Sequence, residues 1–139
     1  MTTDFEWPVR VYYEDTDAGG VVYHANYLKF MERARTEWLR ALGFEQDRLR
    51  AEYGIVFAVR RLSVEMQRPA HFNEALTVTC RVQRLRRASI EFAQAVQRDA
   101  AVLVTGEVGI ACVDVARQAP VAIPDEVTHA LRAADGTKA

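Results

Sequence analysis

The sequence is poor in the residue types from which many metal and redox sites are built. Its 139 residues include two cysteines and three histidines. Cys80 and Cys112 are too few for a disulfide framework, and each falls at an inward-pointing position of an alternating apolar run, so we expect two buried thiols. His71 and His129 lack the spacing of metal ligands, and we therefore expect no metal site.

The chain also lacks a long apolar run and an excess of charge of either sign. No stretch approaches the roughly 18 consecutive apolar residues that a membrane span needs. The N-terminal segment MTTDFEWPVR carries acidic residues where a signal peptide has a basic region. With 18 basic and 19 acidic residues the net charge is −1, which argues against a surface built for nucleic acid. We expect a cytoplasmic protein with no membrane span and no nucleic-acid partner.

The sequence does contain enough apolar residues for one packed domain. Hydrophobic residues make up 50% of the chain, and this length is typical of a single domain. We expect this domain to occupy residues 1–139, with a core over about residues 7–125 and a frayed C-terminal tail, ADGTKA. A core of this size is not generous, so association with further copies would stabilise it.

The spacing of apolar residues predicts a strand, a long helix and then four strands. Alternation over residues 9–14 predicts the first strand. From Asn26, the expected N-cap, to Gly43, the expected terminator, apolar residues recur at helical spacing. In the first of the four later strands the Arg60-Arg61 pair breaks the alternation, which indicates a β-bulge.

The remaining segments complete a prediction of α+β architecture. Residues 44–54 are interpreted as a connecting region, and polar joints near 86–88 and 98–101 make the last three strands a meander. Pro124 and the acids after it predict a short C-terminal helix. A curved antiparallel sheet that wraps one helix leaves its other face uncovered, so we expect a dimer.

The most unusual stretch is YYEDTDAGGVVYHANY, residues 12–27, between the first strand and the helix. A helix N-terminus stabilises negative charge, and a carboxylate held there can act as a base or a nucleophile. Asp17, directly before a flexible turn with two glycines, is the best placed, although a purely structural turn residue fits equally well. Glu14 and Asp15 are interpreted as solvated or strand-end acids. His24 fits a substrate-orienting role or a packing and capping role.

The run DTDAGGVVYHANYLKFMERARTEWL resembles the signature of the hotdog-fold acyl-CoA thioesterases of the 4-hydroxybenzoyl-CoA thioesterase class. It is most similar to the Tol-Pal-associated YbgC branch, which shares the run RVYYEDTDAGGVVYHA, and the similarity covers about residues 7–125, including VEMQRPA. The resemblance implies a five-stranded antiparallel sheet wrapped around one long central helix. It also implies hydrolysis of acyl-CoA thioesters to free acid and coenzyme A, without a cofactor, since coenzyme A is part of the substrate.

The resemblance assigns roles within the unusual stretch. It makes Asp17 the catalytic carboxylate, either as nucleophile or as general base. His24 falls where the family places a residue whose backbone N–H polarises the thioester carbonyl, and we expect the N–H groups around Val22 and Tyr23 to contribute. Tyr13 lies next to this pocket in the YbgC branch, so we expect either a substrate contact or a core position.

A second cluster contains four arginines, at positions 81, 84, 86 and 87. Four arginines without interleaved aromatic residues are too few for a nucleic-acid surface, whereas guanidinium forks suit phosphate. The segment LRRAS, residues 85–89, resembles the region that holds the coenzyme A nucleotide in benzoyl-CoA relatives, which implies phosphate contacts from Arg86, Arg87 and Ser89. Ala88 stands where a basic residue is expected.

Two alternatives stay open beside the thioesterase. One is a hydratase or dehydratase of acyl thioesters, against which the sequence lacks a separate His/acid pair. The other is a non-catalytic or weakly catalytic module that binds an acyl carrier protein or a component of the Tol-Pal envelope machinery. We expect the chain to form a homodimer that assembles into a homotetramer.

Overall fold

The computed structural model describes residues 4–135. Its elements follow the predicted order of a strand, a long helix, four strands and a C-terminal helix, with a 3-10 turn, a second helix and a two-residue strand in addition. The strands are β1 (Phe5–Arg10), β2 (Ile55–Met66), β3 (Ala75–Leu85), β4 (Ser89–Arg98), β5 (Ala101–Asp114) and the two-residue β6 (Ala119–Pro120). The α-helices are α1 (Asn26–Ala41), α2 (Gln46–Tyr53) and α3 (Asp125–Asp135), and a 3-10 turn covers Tyr13–Asp15.

The strands form one antiparallel sheet in the order β1-β3-β4-β5-β2, with β6 paired to the end of β5. The predicted meander of β3, β4 and β5 is confirmed, because each pairs with the next. Among the described strands, β1 and β2 lie at the two edges. Residues 136–139 of the expected C-terminal tail lie outside the described part of the chain.

Helix α1 packs its apolar stripe against the sheet. Phe30, Met31 and Ala34 are fully buried, and Trp38 is nearly so. The helix ends as predicted, because Gly43 adopts the left-handed conformation with φ of 102° that suits a residue after a helix. The predicted α+β arrangement, in which an antiparallel sheet wraps one long helix, is therefore confirmed.

The first strand lies earlier than residues 9–14. β1 ends at Arg10 and includes Pro8, which an edge strand tolerates because it pairs on one side only. The chain then turns because the Asp15 carboxylate accepts a hydrogen bond from the Tyr12 backbone N–H at 2.8 Å. Such local side-chain bonds compete with strand pairing.

Residues 44–54 were expected to be a connection, but they contain helix α2. The helical spacing of apolar residues is weak in this segment because Leu49 is the only residue of α2 that is buried. The β-bulge is confirmed: Val59 pairs with Ile110 and Arg61 with Gly109, which leaves Arg60 as the extra residue.

The C-terminal helix is also confirmed, as α3. Its side chains Val127 and Leu131 are completely buried, and they pack in the same cluster as Trp38 of α1. The packed core therefore continues past residue 125, the limit expected from the sequence. Cys80 and Cys112 are buried and form no disulfide, as expected, and burial raises the pKa of Cys112 to about 11.

Candidate active site

Asp17 lies in a tight turn that is closed by the backbone. Its N–H donates to the carbonyl of Val21 at 2.9 Å, and its carbonyl accepts the N–H of Gly20 at 3.0 Å. Gly20 has a φ of 83°, a left-handed conformation that glycine adopts without strain. The Asp17 Oδ1 atom accepts the N–H of Gly19 at 2.8 Å, while no donor among residues 4–135 contacts Oδ2. The exposed carboxylate therefore keeps one oxygen for a ligand.

This turn opens onto a cleft of about 300 Å³ at the start of α1. Besides Asp17, its walls are formed by Val21, Val22, His24, Tyr27 and the segment from Met66 to Pro69. The cleft thus joins the end of β2 to the mouth of the helix. His24 is exposed, and its ring lies 4.6 Å from the ring of Tyr23.

The backbone donors at the helix mouth are not equivalent. The N–H of Val22 donates to the carbonyl of Ala70 and that of Tyr23 to the carbonyl of Asp15, each at 2.8 Å. Within the described residues, nothing accepts the N–H groups of His24 and Ala25. The expectation that Val22 and Tyr23 donate to a carbonyl of the substrate is therefore wrong, because the fold uses both groups. The donors left without an acceptor among the described residues are the N–H groups of His24 and Ala25, which directly follow Tyr23.

The buried carboxylate of Asp15 stabilises the backbone between the 3-10 turn and α1. Asp15 is 6% exposed, so the interpretation as a solvated acid is wrong. Its carboxylate accepts hydrogen bonds from the backbone of Tyr12 at 2.8 Å and from the side-chain amide of Asn26 at 2.9 Å. These bonds tie the 3-10 turn to the first residue of α1 and so position the segment between them. Asn26 is accordingly the first helical residue, and Ala25 occupies the N-cap position that we predicted for it.

Tyr13 lies outside the cleft that contains Asp17. Its side chain is 76% exposed, which excludes the core position, and its ring stacks on Phe72 at 3.9 Å. It lines a separate cleft with Arg10, Tyr12 and Asn73. The structure therefore does not bring Tyr13 and Asp17 together.

Arg86 and Ser89 line a different cleft, of about 360 Å³, and Arg87 is not among its lining residues. The hairpin between β3 and β4 is closed by a bond from the Arg86 N–H to the Ser89 carbonyl at 2.9 Å. Sequence reasoning missed two further members of this cleft, Arg60 and Arg61. The interrupted alternation at this pair was a signal, because a bulge turns two consecutive side chains toward the same region.

The cleft at Arg60 is strongly basic. Arg61 forms an ion pair with Glu91 at 3.0 Å, the only carboxylate in the lining. Arg60 and Arg86 have no ion-pair partner within residues 4–135. Arg61 and Met66 are five residues apart on β2, which places the two clefts about 17 Å from each other along the strand.

No group of three histidine, cysteine or acidic side chains within residues 4–135 is arranged to hold a metal ion. None of the helices in this part of the chain is long and apolar enough to cross a membrane.

Comparison with known proteins places these features in a family context. The family model of the thioesterase-like superfamily matches residues 11–131. The acyl-CoA thioesterase YbgC of Haemophilus influenzae is 48% identical over 131 residues, which cover 94% of this chain and 96% of that protein. The acyl-CoA thioester hydrolase YbgC of Escherichia coli is 46% identical over 127 residues, covering 91% of this chain and 94% of the relative.

A solved structure agrees with the sequence comparison. The crystal structure of a probable thioesterase from Bartonella henselae superposes with a TM-score of 0.84 at 37% identity, over 88% of this chain and all of that one. The hotdog fold predicted from the sequence is thereby confirmed.

Proposed function

The chain belongs to the thioesterase-like superfamily and hydrolyses acyl-CoA thioesters, and we propose that the carboxylate of Asp17 performs this reaction at the mouth of α1. The observation that carries the assignment is that Asp17 and His24 border one cleft. Asp17 brings a carboxylate oxygen that contacts no donor in the described residues, and His24 brings a backbone N–H that no described residue accepts.

The two free N–H groups form the carbonyl site of this proposal. The thioester oxygen accepts hydrogen bonds from the N–H groups of His24 and Ala25, where the positive end of the α1 dipole stabilises the charge that develops on the oxygen. The imidazole of His24 is exposed on the same side and serves as an additional donor. Val22 contributes a wall of the cleft, and Tyr23 supports the His24 ring.

Asp17 then acts in one of two ways. As a nucleophile, its carboxylate attacks the carbonyl carbon, the C–S bond breaks, coenzyme A leaves as a thiolate, and water hydrolyses the mixed anhydride. As a general base, it takes a proton from a water molecule that attacks the carbonyl, and the tetrahedral adduct expels the thiolate. Both routes use groups of this chain and water, with coenzyme A entering as part of the substrate.

Asp17→Asn tests the assignment. We expect thiol release from acyl-CoA to fall by about 10²-fold or more, since an amide is a poor base and nucleophile, while the melting temperature stays near that of the parent protein. Glu14→Gln removes an exposed acid of the same segment outside the cleft and should leave turnover unchanged. Near-normal turnover in Asp17→Asn would overturn the assignment.

A single turnover in ¹⁸O-water separates the two routes. Label recovered in the Asp17 side chain indicates the anhydride route, because water then attacks a carbonyl that includes an Asp17 oxygen. The general-base route leaves the label only in the released acid, and so does an anhydride that water attacks at its acyl carbonyl; an acyl-Asp17 adduct detected by mass spectrometry after a rapid quench then distinguishes the anhydride route.

We further propose that the basic cleft binds the phosphates of coenzyme A. Arg60, Arg61 and Arg86 supply forked donors that match phosphate oxygens, and Ser89 supplies a hydroxyl. The pantetheine arm between the thioester and the diphosphate is about as long as four extended residues, or ~14 Å. With the reach of an arginine side chain added, this length suits the separation of the two clefts.

Substrates with and without the nucleotide test this proposal. Arg60→Ala should raise the KM for acyl-CoA about tenfold, the loss of roughly one charged hydrogen bond, and leave the KM for the matching acyl-pantetheine unchanged. Arg117→Ala, on the turn after β5, is the control and should change neither value. An equal effect of Arg60→Ala on both substrates would contradict phosphate binding.

We also propose that the enzyme works in the cytoplasm as a homodimer that assembles into a homotetramer. Support comes from β2, whose apolar side chains Val59, Leu62 and Met66 are 53%, 42% and 54% exposed. Met66 also lines the cleft of Asp17, so a second copy that covers these side chains would wall the active site. The outer face of the sheet, where Ala93 and Ala95 line an open groove, is available for contact between dimers.

A further inference from the structure

The turn that carries Asp17 packs against residues 69–74, the part of the β2–β3 connection that precedes β3. The N–H of Val22 donates to the carbonyl of Ala70 at 2.8 Å, and Val21 pairs with His71 as an antiparallel bridge. The Ala70 N–H in turn donates to the hydroxyl of Tyr27 at 3.0 Å. The position of the Asp17 turn therefore depends on the position of this supporting segment.

One carboxylate holds the supporting segment in shape. The Glu74 Oε1 atom accepts the backbone N–H of His71 at 2.8 Å and a guanidinium N–H of Arg98 at 2.9 Å. Arg98, from the end of β4, also donates to the carbonyl of Pro69 at 3.3 Å. The Glu74–Arg98 pair thus binds the backbone of Pro69 and of His71 and anchors the segment to the sheet.

The environment keeps this pair charged. The side chains of Glu74 and Arg98 are 29% and 30% exposed. Partial burial alone would raise the pKa of Glu74, but the His71 N–H and the Arg98 guanidinium outweigh it and hold the pKa below its usual value. Hydrogen bonds to an ionised carboxylate are shorter and stronger than those between neutral groups.

A short path of hydrogen bonds connects Glu74 to Asp17. The Glu74 carboxylate fixes the His71 N–H, the carbonyl of the adjoining Ala70 accepts the N–H of Val22, and the carbonyl of the preceding Val21 accepts the N–H of Asp17 at 2.9 Å. The same segment binds Val22, two residues before His24, whose N–H is accepted by none of the described residues. Movement of this segment would therefore displace the carboxylate and the carbonyl donors relative to each other.

We propose that Glu74, held by Arg98, is a positioning residue that sets the alignment of Asp17 with the N–H groups of His24 and Ala25. The inference rests on the proposed function of Asp17. Glu74 itself lines none of the cleft that contains Asp17, so its effect on the reaction is indirect. Small misalignments of reacting groups lower the rate at which the bound substrate reacts more than they weaken its binding.

Glu74→Gln and Arg98→Met test the proposal. The glutamine keeps an oxygen that accepts the His71 N–H but removes the ion pair, and each variant should lower kcat about tenfold with KM within about twofold. Both are measured well below their melting temperatures, so that unfolded protein does not contribute. The double variant should be no worse than either single one, because both changes break the same pair. Glu74→Asp, which keeps the charge, should recover part of the lost kcat.

Glu37→Gln is the matched control. Glu37 is 27% exposed and pairs with Arg40 at 2.6 Å on α1, away from the Asp17 turn, so its loss should not change kcat. A folded Glu74→Gln variant with parental kcat would overturn the proposal, as would additive effects in the double variant. Asp17→Asn, assayed in parallel, separates the two levels: retained activity there refutes the role of Asp17 itself.

Discussion

Two aspartates that are neighbours in the sequence motif have opposite environments. Asp15 is buried and accepts hydrogen bonds from Tyr12 and Asn26, whereas Asp17 is exposed with an oxygen that contacts no described donor. The buried carboxylate shapes the junction between the 3-10 turn and α1, and the exposed one is available for chemistry. Residue type alone does not separate these roles, because aspartate is common both in turns and in active sites.

At the same scale, Glu74 predicts a dependence of stability on pH. Its pKa in the folded protein is held below the ordinary value of 4.5, so its contribution to the free energy of unfolding is complete above that value. The contribution is lost as pH falls from 4.5 through the lower folded pKa. Urea unfolding at pH 7, 5, 4 and 3 should therefore show a stability difference between the parent and Glu74→Gln that shrinks only at the acid end. A difference independent of pH would contradict the ion pair.

At the scale of the element, β2 combines a regular alternation with one extra residue. The side chains of Phe57 before the bulge and of Val64 after it pack with the core clusters. Without an extra residue, the arginine pair would place the two halves of the strand out of phase. The bulge at Arg60 restores the phase and directs both arginines into one cleft.

Deletion of single residues tests this account of β2. Deleting Arg60 removes the extra residue and leaves an ordinary alternation from Val59 to Leu62, so we expect a folded protein with a stability loss of about 1 kcal/mol. Deleting Ser63, three residues later, forces either Val64 outward or Arg61 inward and should cost about 3 kcal/mol or more. Denaturant midpoints of the two variants measure the contrast. Equal losses would show that the bulge does not set the phase.

At the scale of the whole molecule, the exposed apolar side chains of β2 predict that a single copy is incomplete. Leu62→Asp should leave the chain folded, because this side chain is already 42% exposed, but should convert the assembly to a smaller species in sedimentation velocity. Turnover should fall together with the sedimentation coefficient, since Met66, an exposed apolar side chain of the same strand, lines the cleft of Asp17. Gln118→Asp, in the turn before β6, is the control. An unchanged assembly with full activity would contradict a role for this face.

Much of the fold was determined by the sequence itself. The span of α1, the meander of β3 to β5, the bulge at Arg60 and the C-terminal helix were all predicted correctly. Each depends on local spacing of apolar residues, which directly reports the side of an element that is buried. Helix α2 was missed because it buries little, and the end of β1 was misplaced because the Asp15 carboxylate captures the backbone of Tyr12. The motif from Asp15 to Tyr27 also identified the family, through the resemblance it carries.

The tertiary structure alone decided which groups meet. It put Tyr13 and Asp17 in different clefts and brought Arg60 and Arg61 together with Arg86. It also showed that the N–H groups of Val22 and Tyr23 donate to backbone carbonyls within the fold. It also paired Glu74 with Arg98, 24 residues away along the chain, at the segment that supports the Asp17 turn. The physical reason is the distance along the chain over which each signal acts. The periodicity of apolar residues reports burial within one element. Hydrogen bonds and ion pairs between elements depend on how the sheet curls around α1 and on which backbone groups that packing leaves unpaired.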